Sequence, residues 1–564
     1  MNFKIAPLNR KQYGWSLFLS LIVLIPDIYL LFYGSDFEAA SIIKSIAYIG
    51  FFSILFLFPS LFLKARTFFL ISGLFVLVAP IEIGHIFLNR MPSSSAYLLS
   101  IIETNSNELM EVVRTVAVPL IAYGLLCIFY FYIVFAKIRN EYFISSKKIR
   151  CSVLAICIFA LLSGYVWHWT FLSQVSTTKD AWIYAHQRYL KNFCKTWPYG
   201  LIMQIENLYS MQLNLKKSRE LVQNFRFDAK KAQPVEGKEV YVLVIGETGR
   251  YSSWSLNGYE RETSPLLSKT PNLVSYTNLF SEANVTYTSL WVILTRANAL
   301  NLTRYYREKS MVDAFQEAGF KTYWIANQSA SNPFIRRIAD DADGKYFSVT
   351  DFDAADNYDE NLWIPMQQFL SQNDEKVLIV LHTLGSHFRY NFRYPANFEK
   401  FTPGLRGAFN LAAISKENRH LFVNSYDNSI LYTDYFLAST IQKIDSLQAV
   451  SALIYLADHG ENLSDTDKNI SLHAGLSYSK YDFHIPFFVW TSEQYRRQYP
   501  EKTAAIIANK DKKLSASHLF DSFLDMAGIT YPEQRLDSSI ASGSLREDSV
   551  RYIINTNMEV RIGY

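Results

Sequence analysis

Two apolar runs in this chain end at residues suited to holding a metal ion. Val242-Leu243-Val244-Ile245 runs into Gly246-Glu247-Thr248-Gly249-Arg250, and Leu453-Ile454-Tyr455-Leu456-Ala457 runs into Asp458-His459-Gly460-Glu461. Each reads as a buried strand that stops abruptly at potential ligands. In an open α/β sheet, ligands bind just beyond the carboxyl ends of parallel strands. Two such ends side by side put Glu247, Asp458 and His459 around one cation. Carboxylate oxygen and imidazole nitrogen suit zinc, and a catalytic zinc leaves a position open for a nucleophile or substrate.

A metal so placed needs something to activate. The segment Thr286-Tyr287-Thr288-Ser289-Leu290-Trp291 opens with hydroxyls and continues as a predicted helix. A helix N-terminus favours anions through its free amides and dipole. A hydroxyl there is placed to attack a phosphate once metal coordination lowers its pKa. Helix capping alone would also explain these residues, and the local pattern does not choose among Thr286, Thr288 and Ser289. His387 follows the apolar run Lys376–Leu381, and His473 follows the Asp458-His459 loop. Either would bind a substrate phosphate, move a proton or hold a second metal. His382, His420, His484 and His518 are read as structural.

The elements that must position these residues come after residue 236. Short β-rich runs at Val240–Ile245, Thr322–Ala326, Lys376–Leu381, Ala452–Ala457 and Ile485–Trp490 alternate with stretches long enough for crossover helices. That predicts an α/β domain with a mainly parallel sheet and helices on both faces. The polar tail after about residue 530 is expected to be loosely held.

The first third of the chain is different. Five stretches, roughly 14–34, 45–63, 67–88, 115–136 and 151–172, are long and apolar enough to cross a bilayer. Lys4, Arg10 and Lys11, then Lys64 and Arg66, then Lys137, Arg139, Lys147, Lys148 and Arg150 mark one side as cytoplasmic. An odd number of spans exports everything after about 173. The expected divisions are a five-helix transmembrane domain over 1–172, a linker with interfacial helices over 173–236, and an exported catalytic domain over 237–564. Asp27, Glu82 and His85 lie within or near spans, where ionisable groups are costly and often functional. A net charge of +4, with no long basic run, excludes a nucleic-acid partner. Three of the four cysteines lie in or beside spans, so no disulfide framework holds the exported part.

These motifs resemble the phosphoethanolamine transferases of the alkaline phosphatase/sulfatase superfamily. Gly246-Glu247-Thr248 continuing to Ser255-Leu256-Asn257-Gly258-Tyr259-Glu260-Arg261 matches the first metal motif, Asp458-His459-Gly460-Glu461 the second, and Ser425–Asp434 a further family segment. Glu103–Glu108, Leu384-Gly385-Ser386-His387 and Val489-Trp490-Thr491-Ser492 resemble the branch that modifies the lipopolysaccharide core. The resemblance implies one tightly bound Zn2+, with a second joining during turnover. It implies Glu247, Asp458 and His459 as ligands, and Thr288 as the nucleophile that also touches the metal. It implies His387, His473, Thr104 and Glu108 as substrate-binding residues. It further implies phosphatidylethanolamine as donor, lipopolysaccharide (core heptose or lipid A) as acceptor, and a monomer in the bacterial inner membrane with its catalytic domain in the periplasm. The added ethanolamine cation would reduce the binding of cationic peptides. A phosphoglycerol transferase acting on a periplasmic glycan is the alternative within the superfamily. The lysine-bearing substrate motif of the lipid A branch is replaced here around Asn327-Gln328-Ser329.

Overall fold

The computed structural model describes residues 10–33, 50, 53, 55–89, 92–103, 113, 116–144, 146–172, 196–328, 333–348, 357–406, 417–465, 471–474, 478–555 and 560–564. The chain divides into two compact units, one of residues 1–98 and 112–209, the other of 99–111 and 210–564.

The first unit is helical. Helices α1 (Arg10–Val23) and α2 (Ile25–Tyr33) meet at a bend of 58°, and Pro26 supplies a reason for the break. Helices α3 (Ala65–Asn89) and α4 (Ala117–Ala136) pack on each other and on α1. The phenol of Tyr123 donates to the Val76 carbonyl at 3.0 Å and that of Tyr130 to the Phe69 carbonyl at 2.7 Å. The opposite face of α4 exposes Val118, Ile121, Leu125, Ile128 and Phe135. That stripe is tenable in lipid and not in water.

Among the described residues, α3 and α4 are long and apolar enough to span a bilayer, with mean hydropathy 2.0 and 2.2. The α1–α2 pair makes a third if it counts as one broken span. Of the predicted stretch 45–63, residues 50, 53 and 55–63 are described, with a 3-10 turn at Phe58–Leu61, and 151–172 falls on a further helix, α5 (Lys147–Leu172). Arg66 caps the end of α4 through the Ile138 carbonyl at 2.9 Å. The basic turn before α3 and the basic loop after α4 therefore share one end.

The second unit is built on a seven-stranded sheet. In chain order its strands are β1 (Glu239–Gly246), β2 (Leu273–Tyr276), β3 (Lys321–Ala326), β4 (Gly344–Phe347), β5 (Lys376–His382), β6 (Val450–Ala457) and β7 (Phe487–Thr491). In space they run β2-β7-β6-β1-β5-β3-β4. β6, β1, β5, β3 and β4 are parallel, whereas β7 is antiparallel to both β6 and β2. The sheet is thus mixed rather than mainly parallel. The run expected at Ile485–Trp490 returns in the reverse direction, and an apolar run carries no mark of its direction.

β1 is central and buried along its whole length, which is why it reads as a continuous apolar run. Its alternation still sorts the two faces. Val240, Val242 and Val244 pack in one core with Phe436, Leu437 and Ile441 of the long helix Arg419–Asp445. Tyr241, on the other face, meets the rings of Phe315 and Phe523, from helices Met311–Glu317 and Leu519–Met526. The sheet is therefore sandwiched between helical layers. The tail expected to be loose is tied down: Ile553 and Ile554 are buried, and Tyr552–Ile554 pairs with Val560–Ile562.

Candidate metal centre

The register of three parallel strands brings the key residues together. Gly246 at the end of β1 lies opposite Ala457 at the end of β6, and Ile245 lies opposite His382 at the end of β5. Glu247 and Asp458 are the next residues on adjacent strands. The amide of Asp458 donates to the Gly246 carbonyl at 2.9 Å, and that of Ser386 to the Glu247 carbonyl at 2.9 Å. Behind Glu247, Gly385 takes a left-handed φ of 50°, and a Cβ there would lie 2.7 Å from the Glu247 backbone nitrogen and oxygen. Only glycine lets the two backbones approach this closely. The Leu384 and Gly385 amides are fixed by the two oxygens of buried Asp359, at 2.7 and 2.9 Å.

Glu247, Asp458 and His459 are all buried. His459 Nε2 is 3.2 Å from Asp458 Oδ2 and 3.5 Å from Glu247 Oε1. Thr286, the first residue of the helix Thr286–Leu294, adds its Oγ1 at 3.3 Å from Glu247 Oε1 and 3.4 Å from His459 Nε2. A tetrahedral zinc with ligand distances near 2.0 Å has ligand–ligand edges of roughly 3.3 Å. These four side chains match that spacing. Asp458 Oδ2 is buried without a hydrogen-bond donor, as an oxygen reserved for a cation should be. The residues present therefore fit a metal ion, and zinc in particular.

Electrostatics agree. Burial pushes the Asp458 carboxyl above its ordinary range. Burial works against charge on His459, but the Asp458 and Glu247 carboxylates outweigh it and raise its pKa. Gathered negative charge that holds protons in the absence of a metal is what a cation would displace.

The structure places the two candidate hydroxyls differently. Thr288 is wholly buried inside the helix, whereas Thr286 is half-buried at its start and faces the carboxylates. Positions two apart on a helix differ by about 200°, so the two hydroxyls cannot address the same point. Resemblance selected Thr288; the hydroxyl at the cluster is that of Thr286.

His387 and His473 are also brought in. Each places a ring nitrogen within 4.8 Å of a Glu247 oxygen and of the other, forming a second group of ligand type that shares Glu247. Burial pulls the His387 pKa down to about 4 and that of His473 to about 3. His473 arrives by a short ladder, Ser471–Leu472 against Asn462–Leu463. Its Nδ1 lies 3.3 Å from Glu461 Oε1, and the other oxygen of Glu461 accepts from Tyr390 at 3.1 Å. Thr104 and Glu108 fall outside the described residues. His484, read as structural, is stacked between Tyr251 and Phe280 at 4.0 and 4.5 Å.

Two participants escaped the sequence reading. Gln328 Nε2 donates to Glu247 Oε2 and to the Thr383 carbonyl, both at 2.9 Å. Thr248 donates its amide to Asp458 Oδ1 at 3.0 Å and its hydroxyl to Glu247 Oε1 at 2.9 Å, with φ at 60°. Only its place beside Glu247 could have signalled Thr248; Gln328 had the apolar run before it, which ends at the same edge as β1.

Comparison with known proteins accords with this geometry. A sulfatase family model matches residues 239–529. Phosphoethanolamine transferase EptC of Escherichia coli K12 is 32% identical over 326 residues, covering 56% of this chain and 55% of that protein. Phosphoethanolamine transferase CptA of Salmonella typhimurium is 31% identical over 330 residues. The chain spans about half the length of the curated relatives it matches. The crystal structure of the C-terminal periplasmic domain of Escherichia coli EptC in complex with Zn is 30% identical, with TM-score 0.52, over 58% of this chain and 92% of that one. The integral membrane lipooligosaccharide phosphoethanolamine transferase A of Neisseria meningitidis shares the fold over 93% of this chain and 98% of its own, with TM-score 0.74 at 20% identity. With over half its length matched and its strand-end ligands in one cluster, the chain belongs to the sulfatase family, in the branch of the phosphoethanolamine transferases.

Proposed function

We propose that this chain transfers phosphoethanolamine from phosphatidylethanolamine to a lipopolysaccharide acceptor, through a covalent intermediate on Thr286. The observation that carries the reading is Thr286 Oγ1 among the ligand atoms of Glu247 and His459. A bound zinc ion would lower the pKa of that hydroxyl and draw negative charge from the phosphate. Glu247, Asp458 and His459 would hold it, and Gln328 and Thr248 fix the Glu247 carboxylate. Thr286 Oγ forms a bond to phosphorus, and the bond from phosphorus to the diacylglycerol oxygen breaks. That oxygen takes up a proton and leaves as diacylglycerol. An acceptor hydroxyl oxygen then attacks the same phosphorus, the bond from phosphorus to Thr286 Oγ breaks, and the acceptor's proton passes to Thr286 Oγ. The neutral rings of His387 and His473 are suited to accept protons from the attacking groups, to grip the phosphate, or to hold a second zinc with Glu247.

The reading includes five spans within 1–172, a linker over 173–236 and a periplasmic catalytic domain over 237–564, in a monomer of the inner membrane. The like-ended basic turns around α3 and α4 support that orientation. Thr104 and Glu108 would lie in its exported loop, to bind lipid. The name "transferase" borne by the relatives, and the zinc complex of one of them, support the chemistry.

The test is direct. The purified protein is mixed with phosphatidylethanolamine in mixed micelles and digested. Phosphoethanolamine on the peptide bearing Thr286, with release of diacylglycerol, is the expected result. No adduct on this peptide, or one on another residue, refutes the assignment.

A further inference from the structure

The motif Ser425–Asp434 supplies none of the candidate ligands, yet nearly all of it is buried. It lies on the long helix Arg419–Asp445, which has anchors of its own. Asp434 accepts the Leu266 and Leu267 amides, each at 2.9 Å, and Phe436, Leu437 and Ile441 sit in the sheet core. From that base the helix holds the chain on both sides of Glu247. Tyr426 donates its phenol to the Thr248 carbonyl at 2.7 Å and accepts the Arg250 amide at 2.9 Å. Ser429 Oγ lies 2.9 Å from Ser386 Oγ, and the Ser386 amide is the one that meets the Glu247 carbonyl. Arg419 reaches Asp465 at 2.6 Å, and Asp465 grips the Arg250 guanidinium with both oxygens, at 2.9 and 3.2 Å.

Thr248 needs such a hold. Among the described residues other than glycine with positive φ, it is the one with a β-branched side chain. That conformation is strained for a branched residue and persists only where the surroundings over-determine it. The strain is put to use, because in this conformation the Thr248 amide meets Asp458 Oδ1 and its hydroxyl meets Glu247 Oε1. One residue thereby orients two of the three candidate ligands. Relaxing φ to an ordinary negative value would swing both groups away. The Thr248 carbonyl and the Arg250 amide flank Gly249, and both residues are buried, so neither backbone group can turn to water instead. A phenol offers one donor and one acceptor, and that of Tyr426 closes both ends of the turn with a single atom.

We propose that Tyr426 is a positioning residue for the metal centre. Its hydroxyl clamps the turn Thr248–Arg250 and so keeps Thr248 in the left-handed conformation that orients Glu247 and Asp458. It touches neither metal nor substrate and acts through Thr248. The inference rests on the metal centre described above and not on the transfer chemistry.

The experiment is a double-mutant cycle on the full-length protein, read by zinc affinity against a chelator and by hydrogen exchange of the metal-free form. Tyr426→Phe removes only the hydroxyl and is expected to weaken zinc binding about tenfold or more. It should also speed exchange in the peptide covering Glu247–Arg250, with the central strands unchanged. Thr248→Gly loses the hydroxyl bond to Glu247 but holds positive φ without strain. In that background Tyr426→Phe is expected to cost less than about threefold. Tyr432→Phe removes a buried hydroxyl from the same helix, among the rings of Tyr358 and Phe398, and should leave the affinity unchanged. Wild-type affinity in a folded Tyr426→Phe overturns the proposal. So does an equal loss in both Thr248 backgrounds, or as large a loss in Tyr432→Phe. If Tyr426→Phe alone does not fold, a folded, zinc-binding Thr248→Gly/Tyr426→Phe supports the clamp, and a double variant that also fails to fold makes Tyr426 a core residue and sinks it. A wild type that binds no zinc, with faster exchange at the turn in Tyr426→Phe, removes the metal centre and leaves the clamp standing.

Discussion

Thr286 and Glu247 stand 39 positions apart in the chain, and their side-chain oxygens meet at 3.3 Å. Thr288, two residues on, is turned into the core. Thr286→Ala is therefore expected to lower turnover on the order of 10³-fold or more, with zinc retained by the other three ligands. Thr288→Ala is expected to keep most activity and to cost about 1 kcal/mol of stability through a lost buried contact. Steady-state assays on the two variants, beside their unfolding midpoints, check the pair. The reverse ranking of activities would return the role to Thr288.

Gly385 and Gly258 separate backbone strain from close approach. Both have positive φ, 50° and 94°, but a Cβ at Gly258 meets nothing within 4 Å, whereas one at Gly385 runs into the Glu247 backbone. Gly258→Ala is expected to cost about 1 kcal/mol and leave zinc binding intact. Gly385→Ala adds overpacking, for roughly 2–4 kcal/mol in all, and displaces Glu247, so zinc affinity falls with it. Metal titration and chemical unfolding of both variants test this. Equal zinc affinity in the two would show that Gly385 does not hold the ligand in place.

Much of this arrangement was legible in the chain. Val242–Ile245 and Leu453–Ala457 are apolar on both faces because β1 and β6 are central strands, and their abrupt polar ends place Glu247 beside Asp458 and His459. The direction of β7 was not legible, since reversing Phe487–Thr491 changes no residue in it. Nor was the choice between Thr286 and Thr288. Which face of a short helix meets a ligand depends on how the whole helix is set against the sheet, and both hydroxyls satisfy the local pattern. Gln328 was visible only as a departure from a motif, with no sign that its amide reaches Glu247.

Gln328 is a neutral donor to a metal-binding carboxylate. Outer groups of this kind orient the ligand, and removing one weakens metal affinity about 10–100-fold. Gln328→Ala should fall in that range, with little change in fold because the side chain is partly exposed. Gln328→Glu should do worse, since it sets a second negative charge against Glu247 Oε2. Competition with a calibrated zinc chelator measures both. Wild-type affinity in Gln328→Ala would show that the 2.9 Å contact is incidental.

The metal-free protein should lose stability as pH rises from about 6.5 to 8. Burial raises the carboxyl of Glu461 to about 8 and those of Glu282, Asp434 and Asp482 to about 7. Each keeps in the folded state a proton that the unfolded chain gives up near pH 4. Their contribution is full below that pH and is lost as pH climbs through the folded value. The buried histidines act the other way. His382 and His473 fall to about 3, and His387 and His484 to about 4, all through burial. They favour the fold above pH 6.5 and lose that advantage as pH drops through their folded values. Between about 4 and 6.5 the two sets oppose each other. Above 6.5 these four histidines are neutral in both states, so the acids set the slope, joined with the same sign by His459, whose pKa is raised, at most about 1.4 kcal/mol per pH unit for each proton still held. Urea unfolding of chelator-treated protein across this window should show a falling midpoint, and Glu461→Gln should flatten its upper part. A midpoint that rises from pH 6.5 to 8 would mean that these carboxyls are already ionised in the fold.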